Sequence, residues 1–319
     1  MTLNNTLTAV PGFRVGQITN REAATGCTVI LCPNGTVGGV DQRGGAPGTR
    51  ETDLLRPMHL VEHVNAIVLS GGSAYGLAVA DGVLRYLEEK KIGYPVGDFV
   101  VPIVPAAILM DLLIGKPGIR PDAEMGYAAC KVAIDAPVAQ GGVGAGTGCV
   151  VGQLAGLEFA TKGGIGSASV DLGDSLIVAA LLAVNAFGDV IDEKGQIMAG
   201  LRKTDGSEGF ADTLQVMRAL TRLTTLPGGN TVIGVVATNA RLTKEHVNKV
   251  AQMAHDGLAR AIRPAHTLFD GDTIFALATG ELEANVNVIG AYAAEVVAQA
   301  IRQGVRMATS LGSVRAWNE

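Results

Sequence analysis

The chain has 319 residues, of which 43 are glycine, 48% are hydrophobic and 17% are charged, and its formal net charge is −5. This apolar content and small net charge exclude an intrinsically disordered chain, and the dispersed lysines and arginines disfavour a nucleic-acid-binding surface. No apolar run reaches the ~20 residues that cross a bilayer, and the first residues lack the pattern of a secretory signal. We therefore expect a cytoplasmic protein, one domain over residues 1–319, that binds neither nucleic acid nor membranes.

Short apolar runs bounded by turn residues alternate with segments of helical spacing, which is typical of an α/β or α+β domain. Residues 28–32 and 66–69 are predicted to be buried strands, and helical spacing extends over residues 76–91. Residues 175–185 are apolar nearly throughout, so periodicity alone does not separate a strand from a helix there.

The last third of the chain has the clearest pattern. Residues 231–238 are rich in β-branched residues and are predicted to form a strand. Thr243 is a candidate N-cap for a helix that runs to about residue 263, where Pro264 would stop it. A further strand is predicted over residues 273–278 and a final helix over residues 285–302, so strand and helix alternate.

The glycine-rich segments do not match a nucleotide-binding motif. Residues 141–148 lack the G-x-G-x-x-G spacing of a dinucleotide-binding fold, and Gly115-Lys116 is not part of a Walker motif. Ser73 lies in a glycine-rich turn, but Tyr75 stands where a nucleophile elbow requires glycine. We therefore expect the glycines to serve tight turns and close backbone contacts.

The histidines and cysteines do not indicate a metal site. His59 and His63 are four residues apart, but no glutamate completes an H-E-x-x-H pattern. The four cysteines lack metal-ligand spacing and are expected to be buried, reduced thiols. All five histidines are interpreted as helix-surface or hydrogen-bonded core residues: His59, His63, His246, His255 and His266. We therefore expect neither a metal nor an organic cofactor.

The residues around Asn230 and Thr231 suggest an N-terminal nucleophile. A flexible turn ends at Asn230, and Thr231 opens a buried strand. Threonine is common at strand starts, but cleavage of the Asn230–Thr231 bond would leave Thr231 with both a hydroxyl and a free α-amine. An α-amine has a reference pKa of about 7.7 to 8.0, so it can act as a general base near neutral pH without a histidine.

Asp270 and Asp272 flank a glycine immediately before the strand predicted from residue 273. Such a pair is compatible with an Asx turn or a cation site. Alternatively, the two carboxylates orient the hydroxyl of the nucleophile and hold the ammonium form of its α-amine. Because close carboxylates repel each other when charged, one of the two is expected to have a raised pKa.

Several motifs together resemble the DmpA-like family of self-processing amidohydrolases, peptidase family S58. This family includes L-aminopeptidase/D-esterases, β-peptidyl aminopeptidases and nylon-oligomer hydrolases. The resemblance covers nearly the whole chain, and seven segments carry it: DQRGGA (41–46), SGGSAYG (70–76), GAGTG (144–148), KGGIG (162–166), VN (184–185), GNT (229–231) and FDGDT (269–273).

The resemblance implies a four-layer αββα sandwich of the DmpA/ornithine acetyltransferase type, within the α/β (α+β) class. It also implies a precursor that cleaves itself between Asn230 and Thr231. The products, an α chain of residues 1–230 and a β chain of residues 231–319, would stay together as pairs. Such pairs usually form a homo-oligomer, a tetramer of pairs.

The resemblance also implies roles for individual residues. Thr231 matches the nucleophile, and Asn185 matches the asparagine whose side-chain amide stabilises the oxyanion. Asp270 and Asp272 match the acidic pair of the nylon-oligomer hydrolase branch, in which the nucleophile is threonine.

Two positions depart from the family pattern. Gln153 stands where many members with a threonine nucleophile have a lysine, and glutamine supplies neither a cation nor a base. Slower processing or altered activity is therefore one expectation, and Lys162 is a candidate substitute. Met110 stands where several relatives have a tyrosine, which predicts an apolar wall of the site. Tyr75 is a further supporting candidate.

The sequence thus predicts a self-processing N-terminal-nucleophile hydrolase that forms an acyl-enzyme on Thr231. Its predicted substrates are small peptides, amino-acid amides or linear nylon-type oligomers. Two alternatives remain open at this point. One is an ornithine acetyltransferase-like acyl transferase, and the other is a catalytically impaired binding protein of the same fold, which Gln153 suggests.

Overall fold

Helices and strands alternate along the part of the chain that the computed structural model describes, residues 4–221 and 229–319. The strands are β1 (Arg14–Asn20), β2 (Thr25–Leu31), β3 (Val37–Gln42), β4 (Thr49–Arg50), β5 (Ala66–Ser70), β6 (Tyr94–Val96), β7 (Phe99–Val101), β8 (Ala106–Ile108), β9 (Val150–Val151), β10 (Thr161–Lys162), β11 (Ile165–Asp171), β12 (Ile177–Asn185), β13 (Asp189–Ile191), β14 (Ile197–Ala199), β15 (Thr231–Arg241), β16 (Ile262–Arg263) and β17 (Thr273–Glu283). The α-helices are α1 (Val79–Glu89), α2 (Ala123–Val132), α3 (Thr213–Ala219), α4 (Lys244–Ala261) and α5 (Val286–Arg306).

Two five-stranded sheets form the centre of the molecule. The first sheet has the order β1-β2-β5-β8-β4, and the second has the order β11-β12-β15-β17-β3. In the second sheet β12 and β15 are antiparallel, whereas β15 and β17 are parallel. A parallel pair requires a crossover connection, and α4 provides it.

Three apolar layers hold the sheets and helices together. Ile233 and Val235 of β15 pack between the two sheets, whereas Val232 and Val236 pack against α4 and α5. Because successive side chains of a strand point to opposite faces, β15 is apolar on both. The third layer joins the first sheet to α1 and α2. The order is therefore helix, sheet, sheet, helix, and the predicted αββα sandwich is confirmed.

The predicted elements are confirmed, with differences at their ends. The ambiguous apolar run is a strand, β12, because it lies between β11 and β15 and is buried on both faces. The Thr243 hydroxyl accepts the N–H of His246 at 3.3 Å and so caps α4. That helix ends at Ala261 because the next two residues pair with β13 as β16. The final helix, α5, continues to Arg306.

The four cysteines are free, and three of them are buried: Cys27, Cys130 and Cys149. Burial raises the pKa of the Cys27 thiol to about 12, in agreement with unreactive thiols. Within the described residues, no three His, Cys, Asp or Glu side chains are grouped so that they could hold a metal ion. None of the helices in this part of the chain is long and apolar enough to span a membrane.

Candidate active site

Asn185 and Thr231 lie opposite each other at one end of the second sheet. β12 ends at Asn185, β15 begins at Thr231, and the antiparallel register pairs the two residues. Asn185 is fully buried and Thr231 is only 4% exposed. Buried polar side chains at the end of an apolar sheet require hydrogen-bond partners, and these partners define the site.

The carbonyl oxygen of the peptide bond between Asn230 and Thr231 accepts two hydrogen bonds. Thr231 Oγ1 donates a short hydrogen bond to the carbonyl oxygen of Asn230. The same oxygen accepts the backbone N–H of Gly271 at 3.0 Å. A Cβ at Gly271 would lie 2.9 Å from Thr231 Oγ1 and 2.6 Å from the carbonyl oxygen of Ala46. Only glycine at this position leaves room for the threonine hydroxyl.

The side-chain amide of Asn185 is fixed at both of its ends. Its Oδ1 accepts the N–H of Val150 at 2.9 Å, and its Nδ2 donates to the carbonyl oxygen of Met110 at 3.1 Å. Because the N–H of Val150 can only donate, the oxygen must face it. Nδ2 therefore points the other way, where it lies 3.4 Å from the carbonyl oxygen of Gly229. The amide thus faces the chain just before Asn230.

Asp272 connects β15 to a histidine. Its Oδ1 accepts the N–H of Val232 at 2.9 Å, and its Oδ2 lies 2.8 Å from Nδ1 of His266. Among the described residues, neither Asp270 nor Asp272 hydrogen-bonds the hydroxyl of Thr231. Asp272 instead holds the backbone one residue beyond the threonine.

Asp270 holds two loops beside the second sheet. Its Oδ1 accepts the N–H of Phe187 at 3.2 Å, and its Oδ2 accepts the hydroxyl of Thr267 at 2.6 Å. Burial, and after it the neighbouring charge of Asp272, raises the pKa of Asp270 to about 6. The expectation that one member of the carboxylate pair has a raised pKa is therefore confirmed.

The DQRGGA segment (41–46) wraps the loop that carries the two aspartates. The N–H groups of Arg43 and Ala46 donate to the carbonyl oxygens of Asp272 and Asp270, at 3.0 and 2.8 Å. A Cβ at Gly44 would lie only 2.2 Å from the Asp270 carbonyl oxygen. This glycine therefore serves a close backbone contact, as the composition predicted.

The interpretation of the histidines missed their place beside the site. His266, 21% exposed in its side chain, contacts Asp272, and its ring centroid is 4.9 Å from that of His255. Burial lowers the pKa of His255 to about 4. The position of His266 in the sequence was a signal for this contact, because it precedes the Asp-Gly-Asp motif by only a few residues. Its segment begins with Pro264.

The supporting candidates lie in different environments. Lys162 is fully buried, and its Nζ donates to backbone carbonyl groups that include that of Cys149. Gln153 is half-buried in a 3₁₀ turn (Gln153–Ala155), where its side chain hydrogen-bonds no described residue. Tyr75 is 58% exposed, with the guanidinium of Arg120 at 3.6 Å over its ring.

Met110, predicted to give the site an apolar wall, lies next to the chain before Asn230. A Cβ placed on Gly229 would lie 3.0 Å from Cγ of Met110, so this methionine packs directly against the chain before Asn230. The predicted turn that leads to Asn230 is described only from Gly229 onward. Pro227 and Gly228 lie outside the described residues.

Comparisons with known proteins show which family the chain is similar to. The model of peptidase family S58 matches residues 5–317. An uncharacterised aminopeptidase of Mycobacterium leprae is 43% identical over 97% of this chain and 92% of its own length. A 6-aminohexanoate-oligomer endohydrolase of Kocuria sp. is 32% identical over 93% of this chain and 84% of its own.

A solved structure extends the agreement to the fold. The L-aminopeptidase D-Ala-esterase/amidase from Ochrobactrum anthropi, described as a variant of the Ntn hydrolase fold, matches with a TM-score of 0.73. The match covers 98% of this chain and 90% of that chain at 19% identity, which shows a shared fold. The two sequence relatives favour hydrolysis over acyl transfer. The chain therefore belongs to peptidase family S58, and its chemistry is the hydrolysis of amide bonds.

Proposed function

We propose that the protein is a self-processing N-terminal-nucleophile hydrolase in which Thr231 is the nucleophile. The observation that carries this proposal is the pair of donors on the Asn230 carbonyl oxygen, the Thr231 hydroxyl and the N–H of Gly271. A carbonyl group with a fixed donor on its oxygen and a hydroxyl beside it is arranged for intramolecular attack.

In self-cleavage, Thr231 Oγ attacks the carbonyl carbon of Asn230, and the peptide C–N bond breaks. The hydroxyl proton ends on the departing nitrogen, which becomes the α-amine of Thr231. Water then hydrolyses the ester, which leaves a carboxylate on Asn230 and restores the hydroxyl. The N–H of Gly271 stabilises the negative charge that develops on the carbonyl oxygen during the attack.

In turnover, the same hydroxyl attacks the amide of a substrate. The new α-amine accepts the hydroxyl proton and passes it to the leaving amine, and the acyl-enzyme is then hydrolysed. Nδ2 of Asn185, which already faces this space, stabilises the oxyanion. Asp272 holds the N–H of Val232 and so keeps the terminal threonine in place. No metal or organic cofactor takes part in these steps.

The two products, residues 1–230 and 231–319, would stay together. After cleavage, β15 is still paired with β12 from the first product and with β17 from its own. Its side chains also lie in apolar layers on both faces of the second sheet. Separation would expose this buried surface to water, which is strongly unfavourable. We also propose that these pairs assemble into a homo-oligomer.

The proposed substrates are small peptides, amino-acid amides or linear oligomers of ω-amino acids. The names of the relatives, an aminopeptidase and an oligomer endohydrolase, support these classes. Met110 provides an apolar surface beside the position of the attacked carbonyl group, which suits the methylene chain of such an oligomer or an apolar side chain.

Intact-mass analysis tests the proposal directly. We expect the wild-type protein to split into residues 1–230 and 231–319, Thr231→Ala to remain whole, and Thr231→Ser to split because it keeps a hydroxyl. Processed protein is then incubated with aminoacyl 4-nitroanilides and linear 6-aminohexanoate oligomers, with and without an acceptor amine. A wild-type chain that never splits, or a Thr231→Ala chain that splits at this bond, would refute the assigned nucleophile.

A further inference from the structure

Lys162 is a buried cation that no side-chain carboxylate among the described residues hydrogen-bonds. It is fully buried at the end of β10. Its Nζ donates to three backbone carbonyl oxygens, those of Gly163 at 2.7 Å, Cys149 at 2.8 Å and Gly146 at 3.2 Å. The three N–H groups of the ammonium are thus fully used. Burying a charge costs free energy, and these three hydrogen bonds offset part of that cost.

One of the three carbonyl groups belongs to the peptide that orients Asn185. The carbonyl of Cys149 and the N–H of Val150 are the two ends of a single peptide group. Lys162 binds the oxygen end at 2.8 Å, and Asn185 Oδ1 accepts the N–H end at 2.9 Å. The ammonium and the asparagine amide are therefore linked through one planar unit.

We propose that Lys162 is a positioning residue for the Asn185 amide and acts through the peptide group between Cys149 and Val150. An ammonium on the carbonyl oxygen fixes the peptide plane and makes its N–H a better donor. That N–H holds Oδ1 of Asn185, so Nδ2 stays directed at the carbonyl oxygen of Gly229, one residue before the attacked carbonyl group. In self-cleavage the amide thereby holds the chain at the bond that is cut. This inference rests on the proposed function, because it concerns the oxyanion-stabilising amide of the same site.

The chain contains a matched buried lysine away from the site. Lys244, at the start of α4, is 4% exposed, and its Nζ also donates to three backbone carbonyl oxygens. They belong to Leu54, His59 and Val61, at 2.9, 2.7 and 2.7 Å. None of these three groups contacts Asn185. Loss of Lys244 therefore reproduces the structural cost of losing a buried lysine without disturbing the asparagine.

The test measures self-cleavage, because its substrate is the chain itself. Full-length chains are pulse-labelled in cell-free synthesis, and the precursor is followed with time on denaturing gels. We expect Lys162→Met to slow cleavage by about tenfold or more, the effect of losing one oriented hydrogen bond. Asn185→Ala should slow cleavage at least as much. The double variant Lys162→Met/Asn185→Ala should cleave no more slowly than Asn185→Ala alone. Lys244→Met should cleave at the wild-type rate, although thermal unfolding should show a comparable loss of stability.

A measurement on the unsubstituted lysine covers the case in which Lys162→Met does not fold. Burial lowers the pKa of Lys162 to about 8, and a neutral amine has only two N–H groups for three carbonyl oxygens. The titratable groups around it are Asp111, whose pKa burial raises to about 6, and the Cys149 thiol, whose pKa burial raises to about 12. Both values lie outside the range from pH 7 to pH 9, and the other charged neighbour is Arg21. The ratio of the wild-type cleavage rate to that of Asn185→Ala should therefore decrease as the pH rises from about 7 to about 9.

The outcomes separate this inference from the proposed function. A wild-type chain that does not cleave contradicts the proposed function itself. If the wild type cleaves, four results overturn the inference alone. The first is a folded Lys162→Met chain that cleaves at the wild-type rate, and the second is multiplicative slowing by Lys162→Met and Asn185→Ala. The third is equal slowing by Lys244→Met, and the fourth, where Lys162→Met does not fold, is a rate ratio that does not change with pH.

Discussion

The two sheets meet at the active site but contribute different groups to it. The second sheet supplies side chains, Asn185 from the end of β12 and Thr231 from the start of β15. The first sheet supplies backbone, because the segment after β8 places the Met110 carbonyl oxygen 3.1 Å from Asn185 Nδ2. The residue after Met110 is a buried aspartate, Asp111, whose side chain accepts hydrogen bonds from the Thr25 hydroxyl and the Gly72 N–H.

The two sheet ends contain similar buried carboxylates with different hydrogen-bond partners. Both ends contain a buried carboxylate whose pKa burial raises to about 6, that of Asp111 in the first sheet and that of Asp270 in the second. Only the second sheet, among the described residues, places a threonine hydroxyl beside a carbonyl oxygen that also accepts a backbone N–H, that of Asn230. Asp111 of the first sheet joins Thr25 of β2 to the turn at Gly72, whereas Asp272 of the second sheet holds β15, the strand that carries the proposed nucleophile.

The largest effect should come from the asparagine at the catalytic end of the second sheet. Asn185→Ala is expected to lower kcat for amide hydrolysis by about 10²- to 10³-fold, because it removes one oxyanion donor. Asn239, near the other end of β15, is the matched control. It is also buried, and its Oδ1 accepts the N–H of Ile177 at 2.9 Å.

Steady-state kinetics and thermal unfolding of the processed enzyme compare the roles of Asn185 and Asn239, at the two ends of the second sheet. Asn239→Ala should lower the unfolding temperature and leave kcat unchanged. If both variants lost kcat in proportion to their stability, Asn185 would be a structural residue, and the contrast between the two ends would disappear.

The same contrast explains which features could be predicted from the sequence. Features that depend on residue type could be predicted from the sequence. They are the β-branched run of β15, the capped helix α4 and the polar pair of Asn185 and Thr231. The direct contact expected between the aspartates and the hydroxyl of Thr231 is absent among the described residues. The aspartate oxygens are used instead by backbone N–H groups, by the Thr267 hydroxyl and by His266. Residue type alone does not reveal such competition.

Backbone groups are the features that the sequence could not show. The N–H of Gly271 lies on the Asn230 carbonyl oxygen because of the loop conformation, and every non-proline residue has an N–H. Likewise, the three carbonyl groups around Lys162 come from separate segments that only the fold brings together. The motif KGGIG marked the lysine as notable but could not indicate its partners.

A second prediction uses pH to compare the two buried carboxylates. The pKa values of Asp111 and Asp270 are raised from 3.8 to about 6 in the folded chain. The folded state therefore binds protons that the unfolded state releases between about pH 4 and pH 6, so each group adds stability as the pH falls through this range. Relative to Asp111→Asn or Asp270→Asn, the wild type should gain at most about 3 kcal/mol per site over this range.

Urea unfolding in the uncleaved Thr231→Ala chain measures these differences without the complication of two fragments. Because the charge of Asp272 contributes to the pKa of Asp270, adding Asp272→Asn should reduce the pH dependence assigned to Asp270 and preserve that of Asp111. Equal reduction at both positions would mean that the two sheet ends are electrostatically coupled and not distinct.

The smallest expected effect concerns His266, which contacts Asp272 at the end of the second sheet. His266→Phe should slow self-cleavage by about tenfold, because Asp272 loses one partner and holds the Val232 N–H less firmly. Thr25→Val removes the corresponding partner of Asp111, the hydroxyl at 2.6 Å, and should change the rate by no more than about twofold.

Both variants are followed by pulse-chase of the precursor, with thermal unfolding to confirm that each is folded. If Thr25→Val slowed cleavage as much as His266→Phe, the first sheet would control the reaction as strongly as the second. If His266→Phe cleaved at the wild-type rate, the histidine would be only a neighbour of Asp272. A slow His266→Phe beside a fast Thr25→Val would mean that the hydrogen bond from His266 to Asp272 supports self-cleavage, whereas the hydrogen bond from Thr25 to Asp111 does not.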